Sequence, residues 1–268
     1  MSALSPLRVA VVQLNSGSDI DADLERCGEL IARAAADGAG LVLLPENFAA
    51  MAADDAGQAR IAAAEVRIVD FLRRLAHHHR LLLLGTLPGR ADDGRLYNHT
   101  LAFGPDGKLL ASYAKMHLFD VEVAGRAYRE SAVVHPGEEP VHFDWQGWRI
   151  GLSICYDLRF PELFRRYAAV GCRVLTVPAA FTEATGRAHW EVLLRARAIE
   201  NQCYLLAAGQ WGEHPGGRRT YGHSMIVDPW GEVLATLDVG EGVAMAAISR
   251  ESQDEMRRQM PVLGHRRL

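Results

Sequence analysis

Apolar positions along this chain follow two alternating rhythms. Short continuous runs, at Arg8–Leu14, Leu41–Leu44 and Leu81–Leu84, have the length and the Val/Leu content of strands buried on both faces. Between them the spacing lengthens to that of a helix. Leu24, Cys27, Leu30, Ile31 and Ala34 place a helix over Asp21–Ala36, with Gly38 as its stop, and a second helix is predicted over Ala59–His79. Asn98–Phe103 and Lys108–Tyr113 then form a predicted hairpin that turns at Pro105-Asp-Gly107. The rhythm restarts with a strand at Arg149–Ile154, a helix at Pro161–Val170, a strand at Arg173–Val177, a helix at Ala188–Gln202 and a strand at Tyr204–Ala208. A second hairpin, His223–Val227 with Glu232–Leu237, closes around Asp228-Pro-Trp-Gly231.

The two halves echo each other. Gly38-Ala-Gly-Leu-Val-Leu-Leu-Pro-Glu-Asn-Phe48 and Gly171-Cys-Arg-Val-Leu-Thr-Val-Pro-Ala-Ala-Phe181 share glycine, apolar strand, proline, two residues and phenylalanine. The pattern predicts an α/β fold made from a duplicated unit, with two sheets packed face to face and helices outside. Residues 1–268 are expected to form a single domain. The least regular stretches are Gly89–Leu96, Phe119–Pro140 and Gln210–Tyr221, and long loops in a compact domain often carry function.

Composition narrows the class. The 268 residues are 49% apolar and 23% charged with a net charge of −4, and the basic residues are interleaved with acids, which argues against a nucleic-acid-binding face. No run approaches the roughly 18 apolar residues of a membrane span. Met1–Arg8 lacks the pattern of a secretion signal, so a soluble, cytoplasmic protein is expected. The four cysteines, Cys27, Cys155, Cys172 and Cys203, are widely spaced and are expected to be free thiols. His77, His78 and His79 are consecutive on a predicted helix and point three ways, so no metal site is expected there.

Chemistry is expected beyond the carboxyl ends of the strands. Glu46 follows the Leu41–Leu44 strand and Pro45, where partial burial would raise its carboxyl pKa and make it a better base. Cys155 follows the Arg149–Ile154 strand and precedes a helix, whose dipole would favour the thiolate. Lys115 ends the first hairpin, and Glu130 lies in the long loop after it. Each has a plain alternative: Cys155 as a small core residue, Glu46 and Glu130 as solvated acids, Lys115 as a strand-end lysine. A Cys155 nucleophile could instead take His117 or His189 as its base.

Three segments taken together carry more. Leu44-Pro-Glu-Asn-Phe48, Lys115-Met-His-Leu-Phe-Asp120 and Ser153-Ile-Cys-Tyr-Asp-Leu-Arg-Phe-Pro161 resemble, in order and spacing, the nitrilase superfamily of carbon–nitrogen hydrolases, over essentially the whole chain. The resemblance implies a four-layer α-β-β-α sandwich, a homodimer or higher homo-oligomer, no cofactor, and a small-molecule amide as substrate. It carries the base to Glu46, the lysine to Lys115, the cysteine to Cys155 and a supporting acid to Glu130. With it, Tyr156 is expected to supply a backbone N–H to the oxyanion. Phe181, Thr182, His117 and Arg129 are expected around the substrate. Retention of all four matched residues argues against a non-catalytic interaction protein on the same fold.

Within the superfamily, Ala188–Tyr204, Tyr221–Gly231 and the tail Pro261–Arg267 are similar to the deaminated glutathione amidase branch, and the ω-amidase branch is the near rival. Both branches imply a 2-oxo acid amide and hence a cation for its carboxylate; Arg126, Arg129, Arg159 and Arg187 are all candidates. The tail from about residue 250 to 268 is a candidate interface segment.

Overall fold

The structure is a computed structural model that describes residues 6–90, 94–123 and 125–267. Most of the Met1–Arg8 reading, and part of the Gly89–Leu96 stretch, lie outside those residues. In chain order the first half runs β1 (Leu7–Gln13), α1 (Ile20–Ala36), β2 (Leu41–Glu46), α2 (Asp55–Ala63), α3 (Glu65–His79), β3 (Leu82–Arg90), β4 (Leu96–Phe103) and β5 (Leu109–Ala114). A small hairpin follows, β6 (Asp120–Val123) with β7 (Arg126–Arg129), and then a 3-10 turn at Glu130–Ala132. The second half runs β8 (His142–Trp145), β9 (Trp148–Leu152), α4 (Pro161–Ala169), β10 (Val174–Ala179), α5 (Glu183–Asn201) and β11 (Tyr204–Gly209). It ends with β12 (Trp211–His214), β13 (Arg218–Tyr221), β14 (Met225–Val227), β15 (Val233–Thr236), β16 (Gly242–Ile248) and α6 (Arg250–Gln259).

Two six-stranded sheets result, in the orders β16-β1-β2-β3-β4-β5 and β15-β14-β11-β10-β9-β8. In each, three parallel strands (β1, β2, β3 or β9, β10, β11) sit at the centre. Each triplet is followed by an antiparallel pair on one side and bordered by one antiparallel strand on the other. The duplication seen in the sequence is therefore a duplication of sheet topology.

Strand alternation assigns the layers. Val9, Val11, Leu41, Leu43, Leu82 and Leu84 face the second sheet, where Ile150, Leu152, Leu175 and Val177 belong to the same core. Their neighbours Ala10, Val12, Val42, Leu44 and Leu83 face outward onto α1 and α3, against Leu24, Cys27, Ile31, Ile68 and Leu72. On the far side α4 and α5 bring Phe164, Tyr167, Trp190 and Leu194 to the second sheet. The layers are thus helix, sheet, sheet, helix, and burying each large apolar side chain contributes about 1.5–3 kcal/mol. Gly151 has a packing reason: a Cβ there would sit 2.7 Å from the Tyr167 ring, where α4 crosses β9.

Several expectations are corrected. The helix predicted over Ala59–His79 is two helices separated at Ala64. The fourth predicted helix begins at Glu183, five residues earlier than expected, so His189 lies inside it and not at its start. Phe119–Pro140 and Gln210–Tyr221 each hold a short hairpin. Glu46 is the last residue of β2, not a residue beyond it. Among the described residues no helix is long and apolar enough to cross a membrane.

Candidate active site

The ends of β2 and β10, from the two facing sheets, supply the centre of the site. Glu46 is 3% exposed. Its backbone is fixed by the turn that follows: Asn47 takes a left-handed φ of 57°, and its N–H donates to Thr86 O at 3.0 Å. The buried Gln210 amide donates to the carbonyls of Glu46 and Asn47, at 3.1 and 3.2 Å. The Glu46 carboxylate is held on both oxygens. Oε1 accepts from Asn98 Nδ2 at 2.7 Å and from Lys115 Nζ at 3.0 Å, and Oε2 accepts from the Ala180 N–H at 2.9 Å.

Lys115 follows β5 directly. Its N–H donates to Asn98 O and its carbonyl accepts from Gly137 N–H, so the backbone is anchored on both sides. The ammonium also donates to both oxygens of Glu130, at 3.0 and 2.9 Å. Glu130 opens the 3-10 turn after β7 and in turn accepts from Phe119 N–H at 2.7 Å.

Cys155 opens a 3-10 turn over Cys155–Arg159 with a left-handed φ of 47°. A non-glycine residue there is held in a conformation that costs of order 1–3 kcal/mol, and such strain is found at functional sites. Asp157 over-determines the turn. Fully buried, it accepts from Ile154 N–H at 2.8 Å and Tyr113 O–H at 2.7 Å through Oδ2, and from His117 N–H at 3.1 Å through Oδ1. Arg197 of α5 adds a bond from Nε to Leu158 O at 3.1 Å.

The electrostatics correct two sequence expectations. Burial would push the Glu46 carboxyl up, but the Lys115 ammonium and then the Arg218 guanidinium outweigh it, so the carboxyl is held below its ordinary value. Cys155 goes the other way. Burial and then the Glu46 carboxylate push its thiol well above the ordinary value, against the smaller opposing pull of Lys115. The resting pair is thus a neutral thiol beside a carboxylate, not a thiolate stabilised by a helix dipole. Burial disfavours the Lys115 charge, but Glu130 and Glu46 more than compensate and raise its pKa.

A cavity of about 250 Å³ opens onto these groups. Glu46, Lys115, Glu130 and Cys155 all line it, together with Tyr156, Phe181, Thr182 and Arg129 from the expected substrate-binding set. His117 does not. Its ring stacks on Phe160 at 3.7 Å and its Nδ1 pairs with Asp157 at 2.7 Å. His189 likewise faces Arg159, at 3.2 Å, so neither histidine stands beside the thiol as a base. Of the four candidate arginines, Arg126 and Arg129 line the cavity. Arg159 packs over the Phe181 ring and Arg187 pairs with Glu183. Sequence reasoning missed Asn98, the Ala180 N–H and Arg218. The first sits in a strand and the last in a stretch read as irregular, and nothing in their local pattern marks them.

Among the described residues no three His, Cys, Asp or Glu side chains are grouped to hold a metal ion. The four cysteines are free and buried.

Comparison with known proteins identifies the family. Residues 8–258 match the carbon-nitrogen hydrolase family. A deaminated glutathione amidase of Synechocystis sp. is 42% identical over 269 residues, covering 98% of this chain and 99% of that protein. The human omega-amidase NIT2 is 37% identical over 265 residues, covering 98% and 96%. The crystal structure of the C. elegans NitFhit protein superposes with a TM-score of 0.94 at 39% identity, covering 99% of this chain and 66% of that longer one. The sandwich, the family match and the full-length relatives agree: this chain belongs to the carbon–nitrogen hydrolase family and has the nitrilase-type fold.

Proposed function

We propose that this protein is a thiol amidase that cleaves a 2-oxo acid amide through a Cys155 thioester, with deaminated glutathione as the substrate and 2-oxoglutarate and cysteinylglycine as the products. The observation that carries the reading is the convergence of Glu46, Lys115 and Cys155 on one cavity, with Glu130 bracing the lysine.

In this reading Glu46 takes the Cys155 proton as the sulfur attacks the amide carbon. Lys115 and the Tyr156 N–H stabilise the tetrahedral oxyanion; removing one such donor typically costs about 100- to 1000-fold in rate. As the C–N bond breaks, Glu46 passes its proton to the departing amine, leaving the thioester. Water then adds to the thioester, losing its proton to Glu46, and the acid departs as the thiol re-forms. Glu130 holds the ammonium in place and balances its charge. The depressed Glu46 pKa suits a group that must begin as carboxylate, and transferring the proton from a raised thiol is made favourable only as negative charge develops beside Lys115.

The 42% full-length identity to a deaminated glutathione amidase favours that substrate. The 37% identity to an omega-amidase favours a second reading, hydrolysis of 2-oxoglutaramate, in which the same acyl group leaves ammonia. Steady-state hydrolysis of the two amides side by side separates them. A kcat/KM advantage of about tenfold for deaminated glutathione, roughly 1.4 kcal/mol in the transition state, supports the first; the reverse ratio replaces it with the second. A cytoplasmic homodimer built from one domain completes the proposal.

A further inference from the structure

Arg218 is one of the cations nearest the centre of the site, and the reaction scheme above gives it no task. It lines the cavity, and its field acts on both Glu46 and Cys155. It is anchored by a bond from Nη2 to Ala180 O at 2.7 Å, while its Nε is buried without a hydrogen-bond partner. Arg126, on the β6–β7 hairpin, also lines the cavity. Both guanidiniums sit over the Tyr128 ring, Arg126 at 5.4 Å and Arg218 at 5.8 Å from its centroid. Arg126 donates to Gly216 O at 3.2 Å, which ties this hairpin to the turn before β13. Neither arginine has a carboxylate salt-bridge partner among the described residues. Glu46, the acid whose field reaches Arg218, is already bonded to Asn98, Lys115 and Ala180. Two cations sharing one aromatic ring at a cavity, with no acid of their own, have the charge and the donors to bind an anion.

The side on which they stand identifies that anion. Oε1 of Glu46 faces Lys115, whereas Oε2 faces Ala180, the residue whose carbonyl holds Arg218. The departing amine must reach Glu46 to be protonated, away from the lysine that holds the oxyanion. We infer that Arg126 and Arg218, over Tyr128, form an anion subsite for a carboxylate carried on the amine side of the scissile amide. The site then distinguishes an amide of a carboxylate-bearing peptide from a primary amide, which has no group to place there. This inference rests on the amidase reading above.

The test compares two amides with the same 2-oxoglutaryl group, one on a dipeptide with a free C-terminal carboxylate and one on the same dipeptide ending in carboxamide. Wild-type enzyme is expected to favour the free carboxylate by about tenfold or more in kcat/KM, and Arg218→Ala to bring the two together. Arg126→Ala, on an exposed hairpin, gives the same reading without touching the Ala180 anchor. Because the readout is a ratio, a general loss of activity in either variant cancels. Equal kcat/KM for the two amides in wild type, or an unchanged ratio in both variants, would overturn the inference. If wild type cleaves neither amide, the substrate reading alone fails. The subsite is then judged by alkylation of Cys155 with iodoacetate against iodoacetamide. A preference for the anion that is lost in Arg218→Ala supports the subsite, and a ratio the same in both proteins overturns it.

Discussion

The ammonium of Lys115 stands 3.0 Å from Glu46 and 2.9 Å from Glu130, and only 2% of the lysine side chain is exposed. One buried cation is therefore shared by two carboxylates, one ending β2 and the other opening the 3-10 turn after β7. Removing it leaves Glu46 buried without its principal counter-charge. Lys115→Met is expected to destabilise the fold by about 3–5 kcal/mol, the usual cost of breaking a buried pair, read from urea unfolding. Lys115→Met combined with Glu46→Gln should recover part of that loss, since the more deeply buried of the two carboxylates is removed and only the part-buried Glu130 is left without the ammonium. A single variant as stable as wild type would show that the pair contributes nothing to the fold.

Cys155 carries the clearest pH signature. Its thiol is pushed up by burial and by the Glu46 carboxylate, so below the ordinary thiol range it is almost wholly protonated in the free protein. Raising the pH increases the thiolate, and only the thiolate is alkylated. The rate of Cys155 alkylation by iodoacetamide is expected to climb by about tenfold per unit between about pH 7 and about pH 9 without levelling. A plateau reached below about pH 8 would instead mark a stabilised thiolate and contradict the assigned direction. Glu46→Gln removes the repelling charge and should increase the alkylation rate at a given alkaline pH.

Asp157 is expected to matter through Cys155 without touching substrate. It is fully buried and accepts from Tyr113, Ile154 and His117, which together fix the turn that holds Cys155 at a positive φ. Asp157→Asn replaces an accepting oxygen with a donor facing other donors. The expected cost is about 1–3 kcal/mol in stability, together with a fall in kcat larger than any change in KM. A loss confined to KM would place the residue in substrate binding and contradict the positioning role.

The sheets and the candidate site residues are legible in the sequence for different reasons. The central strands are buried on both faces, and such strands must be continuous apolar runs, so Arg8–Leu14 and Arg173–Val177 stand out. Glu46, Lys115 and Cys155 stand out through the resemblance of their motifs, and Glu130 through the family resemblance as a whole, since each alone is an ordinary acid, lysine or thiol. What escaped was decided by tertiary contact. β16 opens on Gly242 and holds three alanines, weak strand formers, and is a strand because it pairs with β1 along its full length. α5 runs through Gly186, which reads as a break but packs where a Cβ would lie 2.3 Å from Tyr221. No breaker marks the separation of α2 and α3 at Ala64. Asn98 reaches Glu46 from β4 across the first sheet, the Ala180 N–H comes from the end of β10 in the facing sheet, and Arg218 comes from the separate β12–β13 hairpin.

The thioester is tested most directly by quenching the enzyme during turnover of deaminated glutathione and determining by mass spectrometry where the acyl group resides. A 2-oxoglutaryl thioester is expected on the peptide containing Cys155, absent from Cys155→Ala, which should also show no turnover. Product release by Cys155→Ala at a rate near that of wild type, with no adduct on Cys155 in the wild-type enzyme, would contradict a Cys155 thioester.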